Sequence, residues 1–455
     1  MINIKSDSRK IKPGDIFVAL KGISSNGDEY IESAIKNGAS KIITETDNTY
    51  SIETIKVEDT RKYLVDYLKD NYIKYLDEMN IIGITGTNGK TTTAYLIYQM
   101  LNKLNIKCGY IGTIGYYLED KVYNLPNTSP DVCEIYDMLI NAYENGYKTV
   151  VMEVSSQGLA MERLNSIKFN YAVFTNLTQD HLDYHITMEN YARAKQKLFL
   201  NLKENGVGII NSDDKYKDYF MINNYIFYGF NNDDYKIEKY NLGYEMNFDL
   251  NIKGIIYNFK SNLIGKYNLY NLVCAITVLH QMNIDVNDII KITNLIQTPP
   301  GRTDIVNYNN NLIIIDYAHT PDAMENIYNL TNEIKKGKVY TVFGCTGDRD
   351  RTKRPIMMDL ATINSDYVIY TSDDLHNEDF NRIVEDSIKD IKKTNYEIIM
   401  NRGKAIEKAI NLLKEKDILL ILGKGHEEFI IVRDKKIPFN DKKYVESILK
   451  EIINI

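Results

Sequence analysis

The chain has 455 residues, enough for about two to four domains. Its 44% hydrophobic and 26% charged content is ordinary for a globular protein, and the net charge of −7 argues against a nucleic-acid-binding surface. No apolar run approaches the roughly 18–20 residues needed to span a bilayer, and four cysteines without a C-x-x-C pair argue against a disulfide framework or zinc ribbon.

The opening stretch MINIKSDSRKIKPGD has no signal-peptide core, so a cytoplasmic protein with no membrane partner is expected. Residues 1–78 read as a small α/β unit. Asp15 to Leu20 is a strand, Tyr30 to Asn37 a helix stopped by Gly38, and Lys41 to Thr44 a second strand. Ser8 precedes the first strand and a glycine-containing loop, Lys21 to Asp28, follows it. A loop at a strand's C-terminal end is where α/β units bind ligands. Thr60 to Leu76 is a helix leading to a boundary near residue 79.

Residues 79–300 alternate strand and helix. Ile81 to Ile84 is a short β-branched run, Gly86-Thr87-Asn88-Gly89-Lys90-Thr91 a glycine-rich turn, and Ala94, Leu96, Ile97, Met100, Leu101 and Leu104 recur at helical spacing. A strand, such a turn and a helix N-terminus form a phosphate cradle. Backbone N–H groups approach the anion, the helix dipole favours it, Lys90 neutralises charge and Thr91 can hold Mg²⁺. Ile84 stands where the usual G-x-x-x-x-G-K-[ST] pattern has its first glycine.

Further strands end in polar residues: Thr149 to Val154 carries Glu153, and Tyr171 to Asn176 is followed by Leu177 to Asp183 with His181. Both side chains can face the phosphate loop, and a carboxylate there suits Mg²⁺, whereas His181 is a less usual ligand. His181 and His185 lie four apart, yet without H-E-x-x-H or a nearby cysteine zinc is disfavoured. Met188 to Leu202 is a helix on which spacing alone makes Lys195 a solvated lysine. Residues 206–263 are strand-rich, and Gly265 to Gln281 is a helix on which His280 reads as a packed core histidine. The alternation predicts a mostly parallel sheet covered on both faces.

Residues 301–455 follow the breaker cluster Pro299-Pro300-Gly301-Arg302, suited to a hinge. Strands at Leu312 to Asp316, Val339 to Phe343, Tyr367 to Thr371 and Ile418 to Leu422 each end in a polar loop, which predicts a third α/β domain with a ligand-facing edge.

Ten motifs, in order, resemble the Mur ligases: GTNGKTTT (86–93), TSPD (128–131), MEVSSQGL (152–159), NLTQDHLDYH (176–185), YARAK (191–195), GKYNLYN (265–271), PGR (300–302), DYAHTPDA (316–323), GDRDRTKRP (347–355) and GKGHE (423–427). Their spacing is most similar to the tripeptide synthetases of that family, which add the third residue of the peptidoglycan stem. The resemblance covers essentially the whole chain. It implies a three-domain α/β fold: an N-terminal UDP-substrate domain (1–78), a central P-loop ATPase domain (79–300) and a Rossmann-like C-terminal domain (301–455). It implies ATP and Mg²⁺, small-molecule substrates and a monomer. ATP would phosphorylate the D-Glu carboxylate of UDP-MurNAc-L-Ala-D-Glu, and an amine would attack the acyl phosphate.

Roles follow from the same resemblance. Gly86, Thr87, Asn88, Gly89, Lys90, Thr91 and Thr92 would hold ATP, with Asn271 at the adenine and Arg302 and Asp316 across the hinge. Thr91, Glu153, His181 and a carbamylated Lys195 would hold metal. Carbamylation requires a neutral amine, and an unperturbed lysine titrates near 10.4; a partly buried site can depress that value. Ser8, Thr128, Ser129, Ser155 and Arg163 match positions contacting the UDP-muramoyl dipeptide. Arg349, Asp373, Asp374, His376, Gly423 and Glu427 match the amino-acid site, where Glu427 would attract the distal ammonium.

Two departures stand out. Met161 stands where relatives in that family place a glutamine near the nucleotide-sugar substrate. Asp373-Asp374-Leu375-His376 replaces the Asp-Asn-Pro-Arg of relatives that add meso-diaminopimelate, whose arginine takes the distal carboxylate. His376 lacks the bidentate fork of arginine, and the acidic surroundings (Asp373, Asp374, Glu378, Asp379, Glu427, Glu428) suit a cationic side chain. The loop therefore tips the expectation slightly toward L-lysine over meso-diaminopimelate. The alternatives are a related ligase with another acceptor, such as a folylpolyglutamate synthase, and a non-catalytic nucleotide-binding homologue. TSPD and DYAHTPDA argue against the first; joint retention of Lys90, Glu153, His181 and Lys195 argues against the second.

Overall fold

The computed structural model describes residues 2–21, 26–125, 127–222, 224–231, 233–242, 245–433 and 435–453. The middle of the loop from Lys21 to Asp28 lies outside them. The architecture is mixed α/β, built on three main sheets of four, eleven and six strands.

The strand Asn80–Thr85 lies inside the large sheet, between Thr149–Glu153 and Phe169–Phe174, both parallel to it. Ile81, Ile82 and Ile84 are fully buried, as expected for a strand covered on both faces. The sheet continues in parallel through Leu202–Asn211 and Tyr225–Gly229 on one side and Cys108–Gly112 on the other. Antiparallel ribbons close both edges: Gly115–Tyr117 with Lys121–Tyr123, and Tyr235–Leu242 with Met246–Ile252 and Ile255–Ser261. Because the chain leaves the central strand and later returns on both sides of it, a crevice opens at the strands' C-terminal ends.

Each face has its own core. One buries Ile97 and Leu101 of helix Lys90–Lys103 against Leu272, Ile276 and Leu279 of helix Lys266–Gln281. The other buries Ile135 and Leu139 of helix Val132–Glu144. Leu64, Leu68 and Leu76 of helix Thr60–Asp77 join that second core, so this helix packs against the large sheet. Each such side chain contributes about 1.5–3 kcal/mol of burial. The chain's first residues are pinned to the same region: Ile2 N donates to Asp137 Oδ1 (2.9 Å), and Lys5 pairs with Asp137 and Lys10 with Glu134. His280 is half-buried rather than a core residue; its Nδ1 meets the Tyr235 hydroxyl at 2.6 Å.

The small sheet, Ile4–Lys5, Ile16–Val18, Lys41–Thr44 and Glu53–Lys56, is parallel throughout. The third sheet runs Asp304–Tyr308, Asn311–Asp316, Ile418–Leu422, Val339–Phe343, Tyr367–Tyr370 and Tyr396–Ile398, with only the first pair antiparallel. A separate hairpin pairs Phe429–Val432 with Lys435–Pro438. No helix among the described residues is long and apolar enough to cross a membrane.

Candidate active site

The turn after Thr85 is braced by residues 175–178. Thr87 N donates to the Asn176 carbonyl (2.8 Å), Asn88 N to Asn176 Oδ1 (2.9 Å), and Thr175 Oγ1 to the Asn88 carbonyl (2.6 Å). Gly89 opens helix Lys90–Lys103 with φ +82, and a Cβ there would stand 2.5 Å from Asn271 Oδ1. Only glycine accommodates both that φ and that approach. The N-terminus of helix Lys90–Lys103 thus faces the crevice. Lys90 Nζ donates to the carbonyls of Gly86 (3.0 Å) and Thr87 (2.8 Å).

Glu153, fully buried at the end of its strand, accepts from Thr91 Oγ1 (2.8 Å), Thr113 N (2.8 Å), Thr113 Oγ1 (3.1 Å) and the Tyr110 hydroxyl. These hard oxygens beside the phosphate loop have the donor chemistry Mg²⁺ takes. Lys195 is 1% exposed, contrary to what helix spacing alone implies. Its Nζ donates to the Gly86 carbonyl at 2.7 Å and sits 4.4 Å from the Tyr191 ring centroid. Burial, and then the charge of Lys90, hold it well below the ordinary lysine range. His181 is exposed, in left-handed backbone (φ +52), with Nε2 3.5 Å from Asp180. His185 does not join it as a metal pair: it is buried, stacks on Tyr191 and meets Ser156 Oγ at 2.9 Å.

Two cavities flank the phosphate loop. One, about 330 Å³, is lined by Asn88, Gly89 and Thr92, by Tyr267, Tyr270 and Asn271, and by Arg302 and Asp316. Arg302 lies 4.5 Å above the Tyr317 ring centroid, and its buried Nε has no hydrogen-bond partner among the described residues. Asp316 Oδ2 accepts from Thr303 N at 2.6 Å. Aromatic walls, an amide and a guanidinium suit a nucleotide.

The other cavity, about 600 Å³, lies between the large sheet and the third domain. Lys90, Thr128, Ser155, Arg163, His181 and Lys195 line one side; Arg349, Asp374 and Glu427 line the other. Ser129 lies behind the wall, 1% exposed, with its carbonyl accepting from Arg163 Nη1 at 3.0 Å. Arg163 Nη2 also lies 3.3 Å from Met161 Sδ. Ser8 is buried and lines neither cavity.

On the third-domain side Lys424 is fully buried beneath three carboxylates. Its Nζ is 2.9 Å from Asp374, 2.5 Å from Glu427 and 3.9 Å from Asp373. Burial opposes the lysine charge, but these carboxylates outweigh it and raise its pKa. Burial also raises Glu427, with Lys424 pulling the other way. Gly423 backs Asp373, whose Oδ2 lies 2.6 Å from where its Cβ would be. Fully buried Arg354 ties the loops around this site together, donating to both oxygens of Glu378 (2.8 and 2.6 Å) and to Asp386 (2.8 Å). His376 has left-handed backbone (φ +47) and its side chain lines neither cavity.

Sequence reasoning passed over Tyr110 and Thr113, which hold Glu153, and left Lys424 without a role although its GKGHE motif was recognised. It also missed the hairpin 429–438, signalled by the run FIIV, a charged turn and KKIP. Asn88, assigned to ATP alone, also reaches Asp322 across the hinge.

Known protein families match along most of the chain. Residues 84–279 match the Mur ligase middle domain, 301–425 the Mur ligase glutamate ligase domain, and 2–85 the Mur ligase family catalytic domain. The chain is 42% identical over 452 residues to a UDP-N-acetylmuramoyl-L-alanyl-D-glutamate–2,6-diaminopimelate ligase of Fusobacterium nucleatum, covering 97% of this chain and 92% of the relative. A ligase of the same name from Aquifex aeolicus is 41% identical over 451 residues, covering 98% and 93%. A solved structure of a ligase of that name, 30% identical, superposes with a TM-score of 0.69 over 99% of this chain and 95% of that one. A MurF ligase from Thermotoga maritima solved with ADP shares the fold at a TM-score of 0.70 and 19% identity, over 99% and 98% of the two chains.

Proposed function

This chain belongs to the Mur ligase family and is an ATP-dependent amide-forming ligase, and from that premise we propose that it joins 2,6-diaminopimelate to the D-Glu carboxylate of UDP-MurNAc-L-Ala-D-Glu. The observation that carries the reading is the shared phosphate loop. Asn88, Gly89 and Thr92 face the aromatic cavity, while Lys90 faces the polar one. A nucleotide in the first and a carboxylate in the second would meet at Lys90.

A carboxylate does not accept an amine until one of its oxygens becomes a good leaving group. A D-Glu oxygen attacks the γ-phosphorus of ATP and the bond to ADP breaks. The amine nitrogen attacks the acyl carbon, loses a proton, and the tetrahedral centre collapses to amide and phosphate. Lys90 and the N–H groups at the N-terminus of helix Lys90–Lys103 offset phosphate charge. Thr91 and Glu153, with His181 and a carbamylated Lys195, would hold Mg²⁺, which screens the repulsion between carboxylate and phosphate. Thr128, Ser155 and Arg163 would orient the muramoyl dipeptide, with Ser129 supporting Arg163. Ser8, off the cavity wall, would act at the UDP end only. Asn271, Arg302 and Asp316 would bind the nucleoside side of ATP. Glu427 and Asp374 would receive an ammonium of the amino acid, and Arg349 a carboxylate; Gly423 and Asp373 shape that wall.

The loop Asp373 to His376, taken alone, tips toward lysine. The relatives at about 40% identity are named for 2,6-diaminopimelate, and their agreement outweighs one loop. L-Lysine is the second reading, favoured by the acidic wall of Asp374, Glu427 and Glu428. ATP dependence supports a cytoplasmic site. The test is isotope transfer. With ¹⁸O in the D-Glu carboxylate, ATP and meso-diaminopimelate, one ¹⁸O should pass to the released phosphate as tripeptide forms. Absence of tripeptide sinks the reading.

A further inference from the structure

2,6-Diaminopimelate carries two ammonium and two carboxylate groups; lysine carries two and one. A site that selects the former over the latter must supply a second cation. On the third-domain wall of the large cavity the lysine and arginine side chains are Arg349 and Lys436. Lys424 is fully buried and committed to Asp374 and Glu427. His376, at the end of the loop where a carboxylate-binding group would be sought, does not line the cavity.

Lys436 reaches the wall because the hairpin is fastened to that loop. Ile431 N donates to Asp374 Oδ1 (2.8 Å), the Ile431 carbonyl accepts from Leu375 N (2.8 Å) and His376 N (3.2 Å), and Arg433 N donates to the His376 carbonyl (2.6 Å). Across the hairpin, Ile431 and Lys436 are register partners, so Lys436 stands beside the residue that anchors Asp374. Ile431, Phe429 and Lys436 all line the cavity. Lys436 is exposed and forms no ion pair among the described residues; its Nζ lies 5.9 Å from the Phe429 ring centroid. An acidic patch (Asp374, Glu427, Glu428) for ammonium and an uncommitted lysine for carboxylate therefore share one wall.

We infer that Lys436 is a specificity-determining residue that receives the distal carboxylate of the incoming diamino acid, in place of a cation on the loop 373–376. The inference rests on the proposed 2,6-diaminopimelate ligation. As the charge lies on a hairpin rather than on the loop, the loop sequence alone misreads the specificity.

The test compares wild type, Lys436→Ala and Lys436→Arg with meso-diaminopimelate and with L-lysine, at saturating ATP and UDP-MurNAc-L-Ala-D-Glu. Loss of a charge-assisted hydrogen bond predicts an increase in KM for meso-diaminopimelate of about 10- to 100-fold in Lys436→Ala. If only ground-state and transition-state binding are lost together, kcat moves by less than about threefold. The preference for meso-diaminopimelate over L-lysine falls with it, and Lys436→Arg restores most of it. An unchanged KM, or an equal loss with both amino acids, overturns the inference and leaves the ligase reading standing. Wild-type protein that makes no tripeptide with meso-diaminopimelate overturns both.

Discussion

Lys90 and Lys195 aim their Nζ atoms at one acceptor, the carbonyl oxygen of Gly86, at 3.0 and 2.7 Å. Burial lowers the pKa of both, and the charge of Lys90 lowers that of Lys195 further. An amine so placed holds a larger neutral fraction near pH 7 than a surface lysine, and the neutral amine is the form that adds to CO₂. With ¹³C-labelled bicarbonate, a carbamate carbon resonance is expected in wild type and not in Lys195→Arg. Activity of that variant should fall by at least about 10- to 100-fold, the range for groups that hold or orient a metal. A fully active Lys195→Arg removes the proposed role.

Gly89 gives a sharper structural test. At φ +82, with a Cβ position 2.5 Å from Asn271 Oδ1, Gly89→Ala must strain the turn or displace Asn271. Strain of this kind costs about 1–3 kcal/mol. A lower melting temperature and weaker ATP binding by calorimetry are expected together. Gly254, also at positive φ but with nothing within 4 Å of its Cβ, is the control: Gly254→Ala should lower stability through strain alone and leave ATP affinity intact.

Arg302 has a buried Nε with no hydrogen-bond partner among the described residues and stacks over Tyr317. A bound nucleotide would satisfy that donor. Arg302→Met keeps the length and apolar stem but removes the charge. It should raise KM for ATP by about 10- to 100-fold, the loss expected for one charge-assisted hydrogen bond, with a smaller effect on KM for the amino acid. Equal rises in both would place Arg302 in domain closure rather than nucleotide binding.

What the sequence made legible follows from physical range. The runs at Ile81 to Ile84, Val150 to Met152 and Leu419 to Ile421 are β-branched or apolar, short and bounded by turn residues, so their strands could be read locally. Helix Val132–Glu144 and the edge strands Gly115–Tyr117 and Lys121–Tyr123 went unread, since edge strands are short and half-polar. The phosphate loop was legible because its chemistry is contiguous. The pairing of Asp374 with Lys424 was not, because fifty positions separate them. Lys195 shows the same limit: helix spacing exposes it, and only tertiary packing of its helix against the phosphate loop, where its Nζ meets the Gly86 carbonyl, buries it. The carboxylate-facing cation was sought in the loop 373–376 because motifs are read along the chain, whereas Lys436 reaches that wall through strand pairing.

Arg354 and Glu378 set an acid limit on stability. The bidentate contact with Arg354 holds the Glu378 carboxyl down to about 2, against 4.5 for the free group. Its contribution is therefore complete above about pH 4.5 and is lost as pH falls through about 2, where the folded state also takes up the proton. Melting temperature measured from pH 5 to pH 2 should decline less steeply in Glu378→Gln than in wild type, from a lower starting value. Parallel curves would mean the pair adds nothing specific.

The most direct measurement is the initial rate of phosphate release by the purified protein with ATP, Mg²⁺ and UDP-MurNAc-L-Ala-D-Glu. meso-Diaminopimelate, L-lysine, L-ornithine and no amino acid would be supplied in parallel, and products confirmed by mass. Release is predicted to depend on both the dipeptide and the amino acid, to be fastest with meso-diaminopimelate, and to match tripeptide formed one for one. Phosphate release indifferent to the dipeptide, or turnover with L-lysine far above that with meso-diaminopimelate, would contradict the proposed reaction.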